Sequence, residues 1–387
     1  MFSARTRWDL TPNRLASLAQ ARQAAGRPLF DLTQSNPTQA RLPYPDDLLA
    51  PLSDPSALRY EPSPFGLRAA REAVSADYRR RGVFVPAEHI ALTASSSEAY
   101  GFLFKLLCDP GDTVLVPRPS YPLFEYLAAL ESVAVDPYPV RYDGEWHVDL
   151  PALARAAARG ARAVVVVNPN NPTGSYVKRE EAEGIRQIAA DAGAAVISDE
   201  VFADYALRAD ARRVACLAGP GPGLVFCLGG LSKSCGLPQL KLGWVAASGP
   251  AAARDEALAR LEIVADTYLS VATPVQRALP LLLARLAELQ QPIAARVAGN
   301  LDLLRRRTAA PCPVTLLEPE GGWYATLQVP ATATEEEHVT RLLEEDGVLV
   351  HPGYFFDFQG EAYLVVSLLP PPEDFAAAID CLLARML

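Results

Sequence analysis

Four short apolar runs constrain this chain more than any other feature: Thr113 to Val116, Ala163 to Val167, Ala195 to Ser198 and Leu224 to Leu228. Each spans only four or five residues, without polar alternation, and helical patterns separate them. Such a run is buried on both faces, as a strand is inside a parallel sheet covered by helices on both sides. The expected fold is therefore α/β, with a large, doubly wound, mostly parallel sheet. Sheets of this kind bind ligands beyond the carboxyl ends of their strands, so the residues that follow each run are the first candidates for chemistry.

The remaining segments fit around that sheet. Leu67, Ala70, Val74 and Tyr78 recur at helical spacing, and Gly82 follows an arginine-rich last turn, as a helix ending requires. A long helical tract runs from about Pro250 to Asp302. Beyond it come strand-like Trp323 to Val329, helix-like Thr334 to Glu345, strand-like Val348 to Val350 and Tyr363 to Leu368, and a last helix, a smaller α+β pattern. A chain of 387 residues exceeds one ordinary core, so two domains with a cleft are expected. Residues 1–44 form an arm and part of the small domain, 45–280 the large domain, and 281–387 the rest of the small one. The segment Gly219-Pro220-Gly221-Pro222-Gly223 reads as a turn rather than a phosphate loop, because its prolines lack amide hydrogens.

Composition excludes several classes. Half of the residues are apolar, 21% are charged and the formal net charge is -9, which suits a soluble globular chain and disfavours a nucleic-acid surface. The six cysteines include no Cys-x-x-Cys pair and the four histidines lie far apart in sequence, so neither a metal site nor a disulfide framework is expected. No apolar run reaches the roughly 20 residues of a membrane span and the first 30 residues lack a signal-peptide core, which leads us to expect the cytoplasm and no membrane partner.

Three residues sit where a parallel sheet would present them. Lys233 follows the fourth run, a Gly-Gly pair and Ser232; a lysine there loses hydration, which favours the neutral amine that Schiff-base chemistry uses. Asp199 closes the third run, where it either faces a ligand or caps a helix. The second run leads into Asn168-Pro169-Asn170-Asn171-Pro172-Thr173-Gly174, a turn by composition whose Asn171 amide is a candidate donor.

Together these segments resemble the fold type I pyridoxal-phosphate enzymes, specifically the class I/II aminotransferases. The resemblance covers nearly the whole chain in the family's order. It extends from Tyr60-Glu61-Pro62-Ser63-Pro64-Phe65-Gly66 through Thr93-Ala94-Ser95-Ser96-Ser97, Pro119-Ser120-Tyr121-Pro122, Asn168 to Gly174, Ser198-Asp199-Glu200-Val201-Phe202 and Leu231-Ser232-Lys233 to Gly321-Gly322-Trp323-Tyr324 and Val350-His351-Pro352-Gly353. It implies pyridoxal 5'-phosphate held as a Schiff base on Lys233. Ser95, Ser96 and Ser97 would hold the phosphate at a helix start, with Ser232 and Lys241 beside them. Tyr121 would stack on the ring, Asn171 donate to its phenolic oxygen and Asp199 keep its nitrogen protonated. Lys233 would then carry the proton at the substrate's α-carbon. A homodimer with shared sites is also implied, in which Tyr60 and the Thr267-Tyr268 region reach the partner.

Three departures from the family pattern fall at this site. Phe202 stands where many relatives have a tyrosine. Lys241 stands in place of a phosphate-binding arginine, keeping the charge without the fork. Val365 stands where the family places the arginine that clamps a substrate carboxylate. Arg118, Lys178 and His351 are candidate replacements, unless the substrate carries no carboxylate there. The implied function is amino-group transfer between an amino donor and a keto-acid acceptor. A lyase, decarboxylase or racemase on the same fold is the alternative, and a ligand-sensing regulator is disfavoured because no basic DNA-binding extension is present.

Overall fold

A computed structural model describes residues 1–309, 311–360 and 362–386. The N-terminal arm carries a helix, Arg14–Ala24, whose Leu15 and Ala19 are buried, and a two-residue strand β1 (Phe30–Asp31). Eight strands then build the large sheet. They are β2 (Ile90–Thr93), β3 (Thr113–Arg118), β4 (Ala134–Tyr142), β5 (Trp146–Val148), β6 (Ala163–Val167), β7 (Ala195–Asp199), β8 (Val225–Gly230) and β9 (Gly243–Ser248). Their order is β2-β9-β8-β7-β6-β3-β4-β5. β4, β3, β6, β7 and β8 run parallel, while β9 and β5 are antiparallel to their neighbours β8 and β4.

All four expected runs are strands at the centre of this sheet. In β6, Val164 and Val166 pack into one apolar layer and Ala163, Val165 and Val167 into the other, which is why the run shows no polar alternation. The expected helix is Arg68–Arg80, with Ala70, Val74 and Tyr78 fully buried and Gly82 at a positive φ of 79°. Gly229 has a packing reason: a Cβ there would lie 2.5 Å from the Trp244 indole nitrogen on β9.

The helical tract resolves into three helices, Ala251–Tyr268, Thr273–Ala284 and Leu286–Arg307. After it come β10 (Thr315–Leu317), β11 (Tyr324–Gln328), β12 (Val348–Leu349), β13 (His351–Pro352) and β14 (Tyr363–Ser367). Four of them form a small antiparallel sheet, β10-β11-β14-β13, and β12 pairs with β1, so the arm packs beside the C-terminal part of the chain. A helix over Pro372–Met386 ends the fold. Among the described residues no helix is long and apolar enough to cross a membrane.

Buried charge ties the small sheet's approach to the large one. Glu320 is 1% exposed and accepts from Lys178 Nζ at 3.0 Å, Arg208 at 2.8 Å and the Tyr176 amide at 2.8 Å. Lys178 also donates to the Trp146 carbonyl at 2.8 Å. Removing the carboxylate strands a buried ammonium, which costs about 3–5 kcal/mol. Glu320→Ala is therefore expected to unfold at a clearly lower urea concentration than the wild type, and coincident unfolding curves would refute this role.

Candidate active site

The loops beyond the carboxyl ends of β3, β6, β7 and β8 converge on one cavity of ≈ 300 Å³, open to solvent. The side on which strands are added switches at β3, with β4 on one side of it and β6 on the other, which leaves a crevice between the loops after β3 and β6.

Lys233 lies on the short helix Leu231–Ser234 directly after β8. Its Nζ is 5.2 Å from the centre of the Trp323 ring and 5.5 Å from that of Phe202. Burial pushes its ammonium below the ordinary lysine range, and attraction to Asp199 offsets this only in part. Asp199 ends β7, and burial raises its carboxyl to about 6 against the hydrogen bonds that favour the charge. Those bonds come from the Val201 amide and the Tyr100 hydroxyl, both at 3.2 Å. Asp199 therefore faces the cavity rather than capping a helix.

The asparagine loop divides its work. Asn168 accepts from the Val177 amide at 2.9 Å, and Asn170 binds the Pro119 carbonyl at 3.0 Å and Thr173 Oγ1 at 2.9 Å, so both fasten loops together. Asn171 instead lines the cavity, and its Oδ1 is buried without a protein partner. An amide edge in that state is available to a ligand.

Ser95, Ser96 and Ser97 line the cavity at the start of the helix Ser96–Leu107. Ser95 is the N-cap: its Oγ accepts from the Glu98 amide at 3.1 Å, and Glu98 accepts from the Ala94 amide at 2.6 Å. The expectation for Ser95 is thus refined, since its lone pair serves the cap while its O–H stays free to donate. Ser232, Tyr121 and Lys241 also line the cavity, Lys241 with a left-handed φ of 51°. Tyr60 does not; it is 63% exposed and lies outside its own chain's cavity.

None of the candidate carboxylate ligands lines the cavity. Arg118 pairs with Asp357 at 3.1 Å and Lys178 is committed to Glu320. Burial lowers His351 to about 4, so it is neutral at pH 7. Val365 is fully buried in β14, opposite Thr326 on one side and His351 on the other. Phe202 packs edge-on to Trp323 and Tyr324, giving the cavity an apolar wall where a hydroxyl was missing from the motif.

Several lining residues were not foreseen. Tyr100 follows Ser96 by four positions, one helical turn, and that spacing is the signal that places it on the serine face. Ser35 comes from a distant segment and carries no local signal, and Tyr324, the last residue of the Gly321-Gly322-Trp323-Tyr324 motif, joins it in the lining. Leu123, Phe124 and Leu127 add apolar surface.

Residues 24–380 match the family model for aminotransferase class I and II. Nicotianamine aminotransferase 1 of Oryza sativa subsp. japonica is 28% identical over 306 residues, which is 76% of this chain but only 61% of that relative. Glutamate-pyruvate aminotransferase AlaA of Escherichia coli (strain K12) is 26% identical over 373 residues, 94% of this chain and 91% of its own. In fold, the chain is similar to an alanine aminotransferase from Pyrococcus furiosus, with a TM-score of 0.88 at 24% identity, covering 100% of this chain and 99% of that one. On the family match, which spans nearly its full length, the chain belongs to the class I and II aminotransferase family.

Proposed function

We propose that this chain is a pyridoxal-phosphate-dependent aminotransferase that moves an amino group from an amino donor to a keto-acid acceptor. The observation that carries this reading is one cavity lined by a buried amine, a buried carboxylate, the Asn171 amide and a serine-rich helix start. Those groups fit the cofactor. Ser96 and Ser97, with the Ser95 O–H, would hold the phosphate, with Lys241 and Ser232 beside them. Asn171 would meet the phenolic oxygen, Asp199 the ring nitrogen, Tyr121 the ring face and Lys233 the aldehyde carbon. When bound, pyridoxal phosphate supplies an electron-withdrawing ring and a carbon that receives the amino group.

The chain's own residues do the rest. Desolvation favours the neutral amine of Lys233, the form whose Nζ would take a proton from the donor's α-carbon and return it elsewhere. The Asp199 carboxylate, held by the Tyr100 hydroxyl, supplies a fixed negative charge at the cavity floor. Phe202, Trp323 and Phe124 exclude water from around Lys233. Substrate hydroxyl and carboxylate groups would meet Ser35 and Tyr324, the polar residues on the side of the small sheet.

Two domains about this cleft, 45–280 and 281–387 with the arm 1–44, are part of the reading. So is a cytoplasmic homodimer in which Tyr60 and Tyr268 serve the partner's site. Its support is exposed apolar surface at Leu58, Tyr60, Ile263, Tyr268 and Leu269. The buried Val365, standing where the family has a carboxylate-clamping arginine, favours one alternative: elimination or decarboxylation by the same residues. Mixing the enzyme with amino donors, with and without a keto acid, separates the two. Product that needs the keto acid supports transfer, whereas ammonia or carbon dioxide released without it supports the alternative.

Lys233→Ala is expected to lose the visible absorbance of tightly held pyridoxal phosphate after gel filtration, with unchanged circular dichroism; retention of that band would move the anchor elsewhere. Tyr100→Phe removes a hydrogen bond to a charged group, worth about 1.5–3 kcal/mol. The cofactor dissociation constant measured by absorbance titration should rise by roughly 10–100-fold, and an unchanged constant would show that Tyr100 does not support Asp199.

A further inference from the structure

A second polar cluster lies on the opposite face of the sheet. Successive residues of a strand point to opposite faces, so Ser198 and Glu200 turn away from the cavity that Asp199 faces, and the Ser198 hydroxyl donates to Glu200 Oε1 at 2.9 Å. Cys227 of β8 is the register partner of Ser198 and is fully buried. Cys216, in the loop before β8, reaches the same spot, with its Sγ 3.6 Å from that of Cys227. Both sulfurs and a carboxylate oxygen of Glu200 lie within 4.8 Å of one another.

The loop that brings Cys216 there is firmly held. The Leu217 amide donates to Glu200 Oε1 at 2.8 Å, and Arg186 donates to the carbonyls of Leu217 and Gly219. Glu200 Oε1 thus has two donors. Its other oxygen, Oε2, is buried without a hydrogen-bond partner among the described residues, in a side chain whose residue is 4% exposed. Leaving a charged acceptor in that state costs about 1–3 kcal/mol or more, a penalty that a cation beside it would remove.

We propose that Cys216, Cys227 and Glu200 form a structural site for one divalent, zinc-type cation. Three arguments select that ligand. Two zinc–sulfur bonds of about 2.3 Å at a tetrahedral angle set the sulfurs roughly 3.8 Å apart, close to the 3.6 Å between these thiols. Two sulfurs with one carboxylate oxygen suit a borderline-soft ion better than magnesium or calcium, which take oxygen. A disulfide would use the cysteines but leave Glu200 Oε2 as it is.

Charge is also accommodated. Binding breaks two S–H bonds, releases both protons to solvent and forms two metal–thiolate bonds without any redox change. Two thiolates and one carboxylate around a dication leave one negative charge. Arg81 interacts electrostatically with Glu200 and is itself held by Asp77 at 3.3 Å, so a guanidinium faces that charge. The remaining charged neighbours of this guanidinium are Asp204 and, through Asp77 and Asp204, Arg80. Tyr78, whose buried hydroxyl has no partner among the described residues, interacts electrostatically with both thiols and Glu200. The cation would pin the Ser198–Glu200 turn, and with it Asp199, from behind.

The test uses the full-length protein with its cofactor. Metal analysis after purification without chelators, and titration of the reduced, chelator-treated protein with zinc chloride, should both give about one zinc per chain. Cys216→Ser and Cys227→Ser should each weaken zinc binding by more than the roughly 10–100-fold that loss of an outer-shell partner costs, while the visible cofactor band persists as proof of folding. If either variant misfolds, the wild type alone decides: zinc chloride should raise its melting temperature and calcium chloride should not. Absence of zinc with no uptake on titration overturns the proposal. So does uptake that both variants retain, or a Cys216–Cys227 disulfide seen as the loss of two hydrogens in the mass of the zinc-free protein.

Discussion

Holding an amine and a carboxylate out of water at neighbouring strand ends is the constraint on which the rest of this structure depends. For both Lys233 and Asp199 burial is the largest influence, and it exceeds their mutual attraction. Such an arrangement is costly, and a flexible loop would relax it by letting water in. Here the two groups are carried by β7 and the turn after β8, whose residues Val196 to Asp199 and Val225 to Leu228 pair in register. The valines and isoleucine of β6 and β7 fill both faces behind them, each fully buried side chain contributing about 1.5–3 kcal/mol. The apolar sheet is therefore the means by which the proton affinities of two polar groups are held away from their ordinary values.

The parts legible in the sequence are those whose signal is local. β6 to β8 could be read because a run buried on both faces must be apolar throughout, and Lys233, Asp199 and Asn171 because each follows such a run directly. β4, by contrast, contains Pro137 and Pro139 and is partly exposed, so its composition argued against a strand. It forms because β3 offers it a parallel partner along its length, which no local pattern announces. The arm was another case, since the helix Arg14–Ala24 buries only Leu15 and Ala19 and shows little amphipathic pattern.

At the site, the same division holds. Arg118, Lys178 and His351 were reasonable carboxylate ligands as isolated residues, yet each has its charge spoken for or removed by a tertiary neighbour. Asp357 takes the first, Glu320 the second, and burial neutralises the third. Ion pairs between residues more than a hundred positions apart are invisible to a reading by segments. Cys216 and Cys227 make the point in reverse: their spacing matched no metal motif, and only the fold of the loop before β8 brings their sulfurs together.

The wall around Val365 bears on how donors are told apart. An arginine in the middle of β14 would have to emerge between Thr326 and a neutral His351, and neither offers a counter-charge. The polar groups that the small-sheet side does present to the cavity are the hydroxyls of Ser35 and Tyr324. Hydroxyls bind a carboxylate more weakly than a two-pronged guanidinium but tolerate a wider range of positions. Discrimination then falls to shape, through Leu123, Phe124, Leu127 and Phe202, where one methylene is worth only about 1–3 kcal/mol. Under the proposed amino transfer, a site built this way would select donors by the bulk of their apolar side chains more than by their charge.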